Sequence, residues 1–199
     1  MFQDLDATLS TLIKSELGIP NITISFATPD DQFPPSSVSL PAIDFFLYDI
    51  QENMELRRSD WRVDRHENGN GPTTASRRRP PVFVNCAYLV TAWPSESVPD
   101  PAADEHRLLG EVMKVLLRHK RLPADSLQGE LAVQEPPLRV QVIRESHLQS
   151  LGEFWQAMGG KPKPALHYTV TIGVDVSEPE DLGAVVTKPL TITLNPKSE

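Results

Sequence analysis

The sequence predicts an α/β (α+β) domain, built as a single mixed β-sheet flanked by two or three helices. Its 199 residues suit one domain, since domains have roughly 100 to 200 residues. The hydrophobic fraction of 39% and the charged fraction of 23% are ordinary for a folded chain. The 19 prolines fall mainly in clusters, and the segments between them carry helical or alternating apolar patterns. Because proline fixes φ and lacks an amide donor, we expect the regular elements in those segments.

The first half of the chain predicts one helix and three strands. Residues 2–17 have apolar side chains at steps of three and four, which predicts an amphipathic helix that ends at Gly18. Residues 22–26 alternate apolar and polar side chains, as a strand with one buried face does. Residues 42–51 and 82–91 are apolar at both odd and even positions, which is typical of central strands covered on two faces. We therefore expect these two strands to be neighbours.

The segment between the two central strands, residues 52–79, is polar and contains a turn-rich run at 66–72, which predicts a long hairpin. It carries seven arginines: Arg57, Arg58, Arg62, Arg65, Arg77, Arg78 and Arg79. Arginine and tryptophan are enriched at the energetic centres of protein interfaces. The candidate interface therefore consists of Trp61 and all of these arginines except Arg65. The alternative is a solvated basic loop.

The second half predicts two helices and two strands. Residues 102–121 predict a helix, because their apolar side chains are spaced to form a stripe on one helix face and the segment ends in basic residues, which suit a helix C-terminus. Residues 138–144 alternate as a half-buried strand, and residues 148–158 predict a short helix closed by two glycines. Residues 165–176 are apolar at even positions and predict a long strand that ends the core.

The C-terminal segment is expected to lie outside the main domain. We divide the chain into a domain at 1–176 and an extension at 177–199. The acidic run at 178–181 predicts a linker, and residues 188–194 alternate as one more strand. That strand either pairs with another chain's sheet edge or packs on its own sheet. Its apolar residues complete the candidate interface: Leu190, Ile192 and Leu194.

Charge and cysteine content exclude several classes of protein. The chain has 19 basic and 27 acidic residues, a net charge of −8, so nucleic acid is an unfavourable partner. Cys86 is the only cysteine, which excludes intramolecular disulfides and suits a reducing compartment. The N-terminus has no basic, apolar leader, so we expect no signal peptide. No apolar stretch reaches the roughly 20 residues that span a bilayer, so membrane insertion is not expected.

The sequence predicts no catalytic, cofactor-binding or metal site. A phosphate-binding loop needs clustered glycines between a strand and a helix, and a serine nucleophile needs a Gly-x-Ser-x-Gly turn; neither pattern occurs. The run that begins at His66 starts like a zinc-protease helix, but Asn70 stands where the second histidine is needed. Cys86 lies in the middle of a predicted strand, where a reactive thiolate would lack access.

Four long segments carry a resemblance to a known family. They are LPAIDFFLYDIQEN at 40–53, PPVFVNCAYLVTAW at 80–93, EHRLLG at 105–110 and LGEFWQAMGGKPKP at 151–164. With Arg57, Arg58 and the strand at 165–176, they resemble the cap, or tail-terminator, proteins of extracellular contractile injection systems. The antifeeding prophage and the Photorhabdus virulence cassettes are the type examples. The resemblance covers most of positions 1–176.

The resemblance implies a structural protein without a cofactor and without enzymatic activity. Such a protein forms a homohexameric ring at the end of the tube distal to the baseplate. It contacts the inner tube protein and the sheath protein and stops their polymerisation. It also implies assembly in the bacterial cytoplasm and then a place in the injection particle.

Two alternatives remain open at this stage: a phage tail-completion or head-tail connector protein, and a small enzyme with an unrecognised site. From composition alone, and not from the resemblance, we expect the basic hairpin to dock on tube or sheath subunits. We expect the C-terminal strand to pair with a sheath subunit or a neighbouring cap subunit.

Overall fold

A computed structural model describes most of the chain, and the described ranges are 1–67, 73–134, 138–142 and 151–184. They form two compact units. The first consists of residues 1–57 and 82–174, and the described part of the second consists of 58–67, 73–81 and 175–184. The predicted α+β class is confirmed, with one mixed sheet and three helices in the first unit and a further small sheet in the second. The boundary at residue 176 stays a prediction.

The described part of the chain contains three α-helices and eight strands. The helices are α1 (Phe2–Leu17), α2 (Pro101–Arg118) and α3 (Leu151–Ala157). The strands are β1 (Thr23–Ser25), β2 (Ala42–Glu52), β3 (Arg62–His66), β4 (Thr74–Arg78), β5 (Val82–Trp93), β6 (Arg139–Val142), β7 (Leu166–Val174) and β8 (Glu180–Ala184). No helix of these ranges is both long enough and apolar enough to cross a membrane.

The sheet of the first unit has the order β1-β2-β5-β7-β6. β1 runs parallel to β2 and the other pairs are antiparallel, so the sheet is mixed, as predicted. β2 and β5, the two strands expected to be central neighbours, pair from Ala42 opposite Trp93 to Glu52 opposite Val84. One bulge, between Leu47 and Asp49, interrupts their register.

The core lies between one face of this sheet and the helices α1 and α2. Leu5 and Leu9 of α1 and Leu108 of α2 are buried against Phe45 of β2 and Tyr88 of β5. The other face is contacted by α3, whose Phe154 ring lies 6.1 Å from that of Phe46. Since successive strand residues point to opposite faces, Phe45 and Phe46 fix which side each helix covers.

The end of α2 differs from the prediction by three residues. The predicted helix extends to residue 121, whereas α2 ends at Arg118 and His119 has extended backbone. The next residues join the sheet, because Val140 donates its N–H to the Lys120 carbonyl at 3.3 Å and Arg121 bridges to Arg139. The basic run therefore belongs partly to the sheet edge and not only to the helix end.

Asp44 of β2 is a fully buried carboxyl group. Ala27 donates its N–H to Asp44 Oδ1 at 3.1 Å, and Oδ2 is buried with no hydrogen-bond partner in the described residues. Burial raises the pKa of Asp44 to about 7, against the opposing effect of hydrogen bonds from Ser25 and Ala27. The folded protein therefore binds a proton at this site more tightly than the unfolded chain does.

Replacing Asp44 by Asn should change how stability depends on pH. In the wild type, the contribution of Asp44 favours folding most below about pH 4, and up to on the order of 4 kcal/mol is lost as pH rises to about 7. Asp44→Asn removes this dependence, so its free energy of unfolding should rise relative to the wild type between pH 4 and 7. Urea unfolding across this range tests it, with the exposed Asp125→Asn as control. Parallel pH profiles for Asp44→Asn and the wild type would contradict the assignment.

Lys163, in the loop after α3, joins three parts of the first unit. Its Nζ lies 2.9 Å from Oε2 of Glu105 in α2 and 4.2 Å from the ring centroid of Trp93 in β5. The two charged side chains are only 16% and 14% exposed. The Trp93 ring also lies 4.2 Å from that of Phe33. This ion pair and cation–π contact hold the loop after α3 against α2 and the sheet.

Lys163→Met should lower the free energy of unfolding by about 3 kcal/mol, since it leaves a largely buried Glu105 carboxylate without its cation. Methionine keeps a side chain of similar length on Trp93, so the loss reports the charge and not the packing. Lys161→Met, an exposed lysine in the same loop, is the matched control and should change little. Equal stabilities of the two variants in urea unfolding would show that the Lys163 contact contributes nothing.

The second unit is an antiparallel sheet of order β3-β4-β8. β3 and β4 form the predicted hairpin, paired from Arg62 opposite Arg78 to His66 opposite Thr74. β8 corrects the expected linker at 178–181, because Glu180 pairs with Arg77 of β4. The physical reason is that β4 offers an edge of main-chain donors and acceptors beside an arginine, which an acidic strand can fill. The predicted strand at 188–194 lies outside the described residues.

Candidate protein-interaction site

Five of the ten predicted site residues, Trp61, Arg62, Arg77, Arg78 and Arg79, lie in or directly beside the strands of the second unit, whose sheet sorts them onto two faces. Residues opposite one another in an antiparallel pair share a face, and successive residues alternate between faces. We name one side the aromatic face, which consists of Trp61, Val63, Arg65, Arg77 and Arg79. We name the other the paired face, which consists of Arg62, Asp64, His66, Ser76 and Arg78.

Trp61 is the centre of the aromatic face. The Cζ atoms of Arg77 and Arg79 lie 4.6 Å and 5.3 Å from its ring centroid. Both Nε and one terminal nitrogen of Arg77 also contact Oε2 of Glu180, at 2.8 Å and 2.7 Å. Trp61 stays 41% exposed and Val63 54% exposed. The face thus presents apolar surface and arginines whose positions are already constrained.

The paired face has its charges compensated internally. The Nε of Arg62 lies 2.9 Å from Asp64 Oδ1, and the Nε of Arg78 lies 3.3 Å from Asp64 Oδ2. One carboxylate therefore bridges two arginines. His66 Nε2 and Ser76 Oγ are 3.0 Å apart on the same side.

The acidic start of the C-terminal segment balances the basic hairpin. Residues 58–81 contain six arginines and three acids, whereas residues 175–184 contain four acids and no base. Glu180 binds Arg77, and residues 175–179 line an open depression beside Arg78. In the sequence, the hairpin and the C-terminal segment are about 100 residues apart and are predicted as separate features. In the structure, β8 of the C-terminal segment pairs with β4 of the hairpin.

The remaining predicted site residues lie elsewhere. Arg57 belongs to the first unit, where its Nε is 3.6 Å from Glu52 Oε1. Arg58 is exposed. Leu190, Ile192 and Leu194 lie outside the described residues.

Sequence reasoning missed the roles of Val63, Arg65, Asp64 and Glu180. Because strand residues alternate between faces, the sequence could have placed Val63 and Arg65 on the same face as Trp61. The roles of Asp64 and Glu180 depend on which residues lie across the strands.

The described residues contain no cluster that suggests metal chemistry. No group of three or more His, Cys, Asp or Glu side chains within them could hold a metal ion. Cys86 is buried, and burial raises the pKa of its thiol to about 12, so the thiol is protonated near neutral pH. The Nδ1 atom of His167 lies 3.3 Å from the Tyr48 hydroxyl, and burial lowers the pKa of this histidine.

Deleting residues 177–199 should expose the edge of β4 without unfolding the first unit. The deletion removes β8, so amides of residues 74–78 should exchange with deuterium faster, while β2 and β5 keep their protection. Hydrogen exchange read by mass spectrometry tests this. Full-length Glu180→Gln separates loss of the strand from loss of the Arg77 ion pair. Unchanged exchange at 74–78 in the deletion would show that β8 does not protect β4.

Comparisons with known proteins give one family and a consistent set of folds. The family described as the Pvc16 N-terminal domain matches residues 4–188. The sheath/tube terminator of an extracellular contractile injection system, PVC, in its extended state, is similar in fold, with a TM-score of 0.65 and 24% identity. The tube-terminating cap of the anti-feeding prophage has a TM-score of 0.61 and 28% identity.

These similarities extend along the whole of this chain but not along the whole of the other two. The alignments cover 100% and 99% of this chain, and 64% of the terminator and 62% of the cap. Comparison with curated proteins gave no match. The resemblance found in the sequence is confirmed by the family match.

Proposed function

Because the chain belongs to the Pvc16 N-terminal domain family, we propose that it is a structural cap of a phage-tail-like contractile injection system. In this role it forms a ring on the baseplate-distal end of the inner tube and sheath and stops their polymerisation. The observation that carries the proposal is the similarity to the tube-terminating cap of the anti-feeding prophage, which extends over 99% of this chain.

We propose a homohexamer, because a terminator has to match the symmetry of the layer that it covers. The ring contacts the tube protein and the sheath protein. Assembly takes place in the cytoplasm, after which the ring is part of the particle, without insertion into a membrane.

The role is structural and not catalytic in this proposal. Two groups of the kinds that act as nucleophile or base are engaged in the fold: Cys86 is buried, and His119 binds Glu16, which Arg118 also contacts. These contacts tie the end of α2 to the end of α1. A site for acid–base or nucleophilic chemistry needs such groups to converge around substrate.

Two surfaces are proposed to make the contacts. The basic hairpin, with Trp61, docks on tube or sheath subunits through side chains of the type found at interface centres. The strand at 188–194 uses Leu190, Ile192 and Leu194 to add to a sheet edge of a sheath or neighbouring cap subunit.

Particles produced without this chain should have tubes and sheaths of uncontrolled length. Restoring the chain should restore a uniform length, and electron microscopy should show six copies at the baseplate-distal end. The matched control is a particle preparation that lacks a baseplate component, which should lose assembly itself and not length control. Uniform particles in the absence of the chain would contradict a terminating role, and a ring of another symmetry would contradict the hexamer alone.

A further inference from the structure

We propose that the aromatic face of the hairpin, and not the paired face, is the docking surface, and that its partner is a carboxylate-bearing protein surface on the terminal tube or sheath layer. This inference rests on the proposed cap function. Composition predicts docking for the whole hairpin segment. The structure allows docking to be assigned to one of its two faces.

The two faces differ in net charge. The aromatic face has Arg65, Arg77 and Arg79, with Glu180 as the acid on the adjoining strand β8. On the paired face, Asp64 binds both Arg62 and Arg78, and Asp181 lies in the same cross-strand row as Asp64. The excess of positive charge among the described residues is therefore on the aromatic face. An acidic surface gains attraction there and meets balanced charge on the opposite side.

The aromatic face also has exposed apolar area and arginines in constrained positions, two properties that favour binding to a partner. Trp61 and Val63 expose apolar area that a partner can bury, whereas the paired face consists of polar and charged side chains. Arg77 and Arg79 are held on the Trp61 ring, so binding would cost less side-chain entropy than ordering free arginines. Arg79 and Arg65 are exposed.

The contact with Glu180 shows the ligand chemistry that suits this face. Glu180 places one carboxylate oxygen on two nitrogens of Arg77, as a partner's acidic side chain would on Arg79 or Arg65. A nucleic acid offers phosphates to the same arginines, but the chain carries a net charge of −8, which opposes a polyanion. Localised carboxylates of a protein surface meet less of that repulsion.

The test compares two double substitutions that remove the same charge from opposite sides of one hairpin. Arg65→Gln with Arg79→Gln changes the aromatic face, and Arg62→Gln with Arg78→Gln changes the paired face. Each purified protein is titrated onto particles produced without the chain, and occupancy of the particle ends is measured by quantitative mass spectrometry. Hydrogen exchange of residues 62–66 and 74–78 confirms that the hairpin persists in both variants.

We expect the aromatic-face variant to bind at least about tenfold more weakly, and the paired-face variant to stay within about twofold of the wild type. Wild-type binding should weaken with added salt, and the aromatic-face variant should lose most of that dependence. Equal losses in the two variants, or a loss in neither, would overturn the inference while leaving the cap function intact.

Three further outcomes are decisive. If the wild type does not bind particle ends, the cap function fails and this inference fails with it. If the aromatic-face variant no longer self-associates in light scattering, but a ring of this variant formed beforehand still binds particle ends, the aromatic face binds a second copy of the chain. If a fluorescent DNA duplex binds the wild type but not this variant, the partner is a nucleic acid. Either of the last two results overturns the proposed partner.

Discussion

The antiparallel pairing of β2 with β5 is the constraint on which the rest of the first unit depends. Both strands are apolar on both faces, so their pairing creates two apolar surfaces that have to be covered. The helices α1 and α2 cover one surface, and α3 contacts the other through Phe154. The same pair determines where the hairpin segment begins and returns, because Asn53 still donates its N–H to the Phe83 carbonyl at 2.8 Å.

Three of the four segments that carry the family resemblance meet in space at Lys163. Glu105 comes from the segment at 105–110, Lys163 from that at 151–164 and Trp93 from that at 80–93. An ion pair this far from solvent is costly unless both charges are well placed. The resemblance therefore includes residues that hold three distant parts of the chain in one arrangement. That is a structural requirement, and a chain can meet it without any chemistry at an active site.

In the described part of the second unit, acids on the strands compensate part of the basic charge of the hairpin. The hairpin is rich in arginine, and the strand that completes its sheet is acidic. Asp64 and Glu180 neutralise part of the basic charge and fix the positions of Arg62, Arg77 and Arg78. Exposed ion pairs contribute little to stability one at a time. Their larger effect here is to leave one face of the sheet with excess positive charge beside Trp61 and the other face balanced, which links the local pairing to the proposed docking.

The sequence by itself determined α1, β2, β5 and β7, because each extends over nine or more residues whose apolar spacing is a local property. It also determined that tryptophan and arginine concentrate in the hairpin. Tertiary structure alone decided the end of α2, the existence of β8 and the register that places Arg77 of β4 on the same face as Val63 of β3. An edge strand forms according to what lies opposite it, and hairpin register depends on a turn length that composition does not specify. From the sequence, Glu180 is expected only as an acid in a linker. Its place in a strand follows from its pairing with Arg77 of β4.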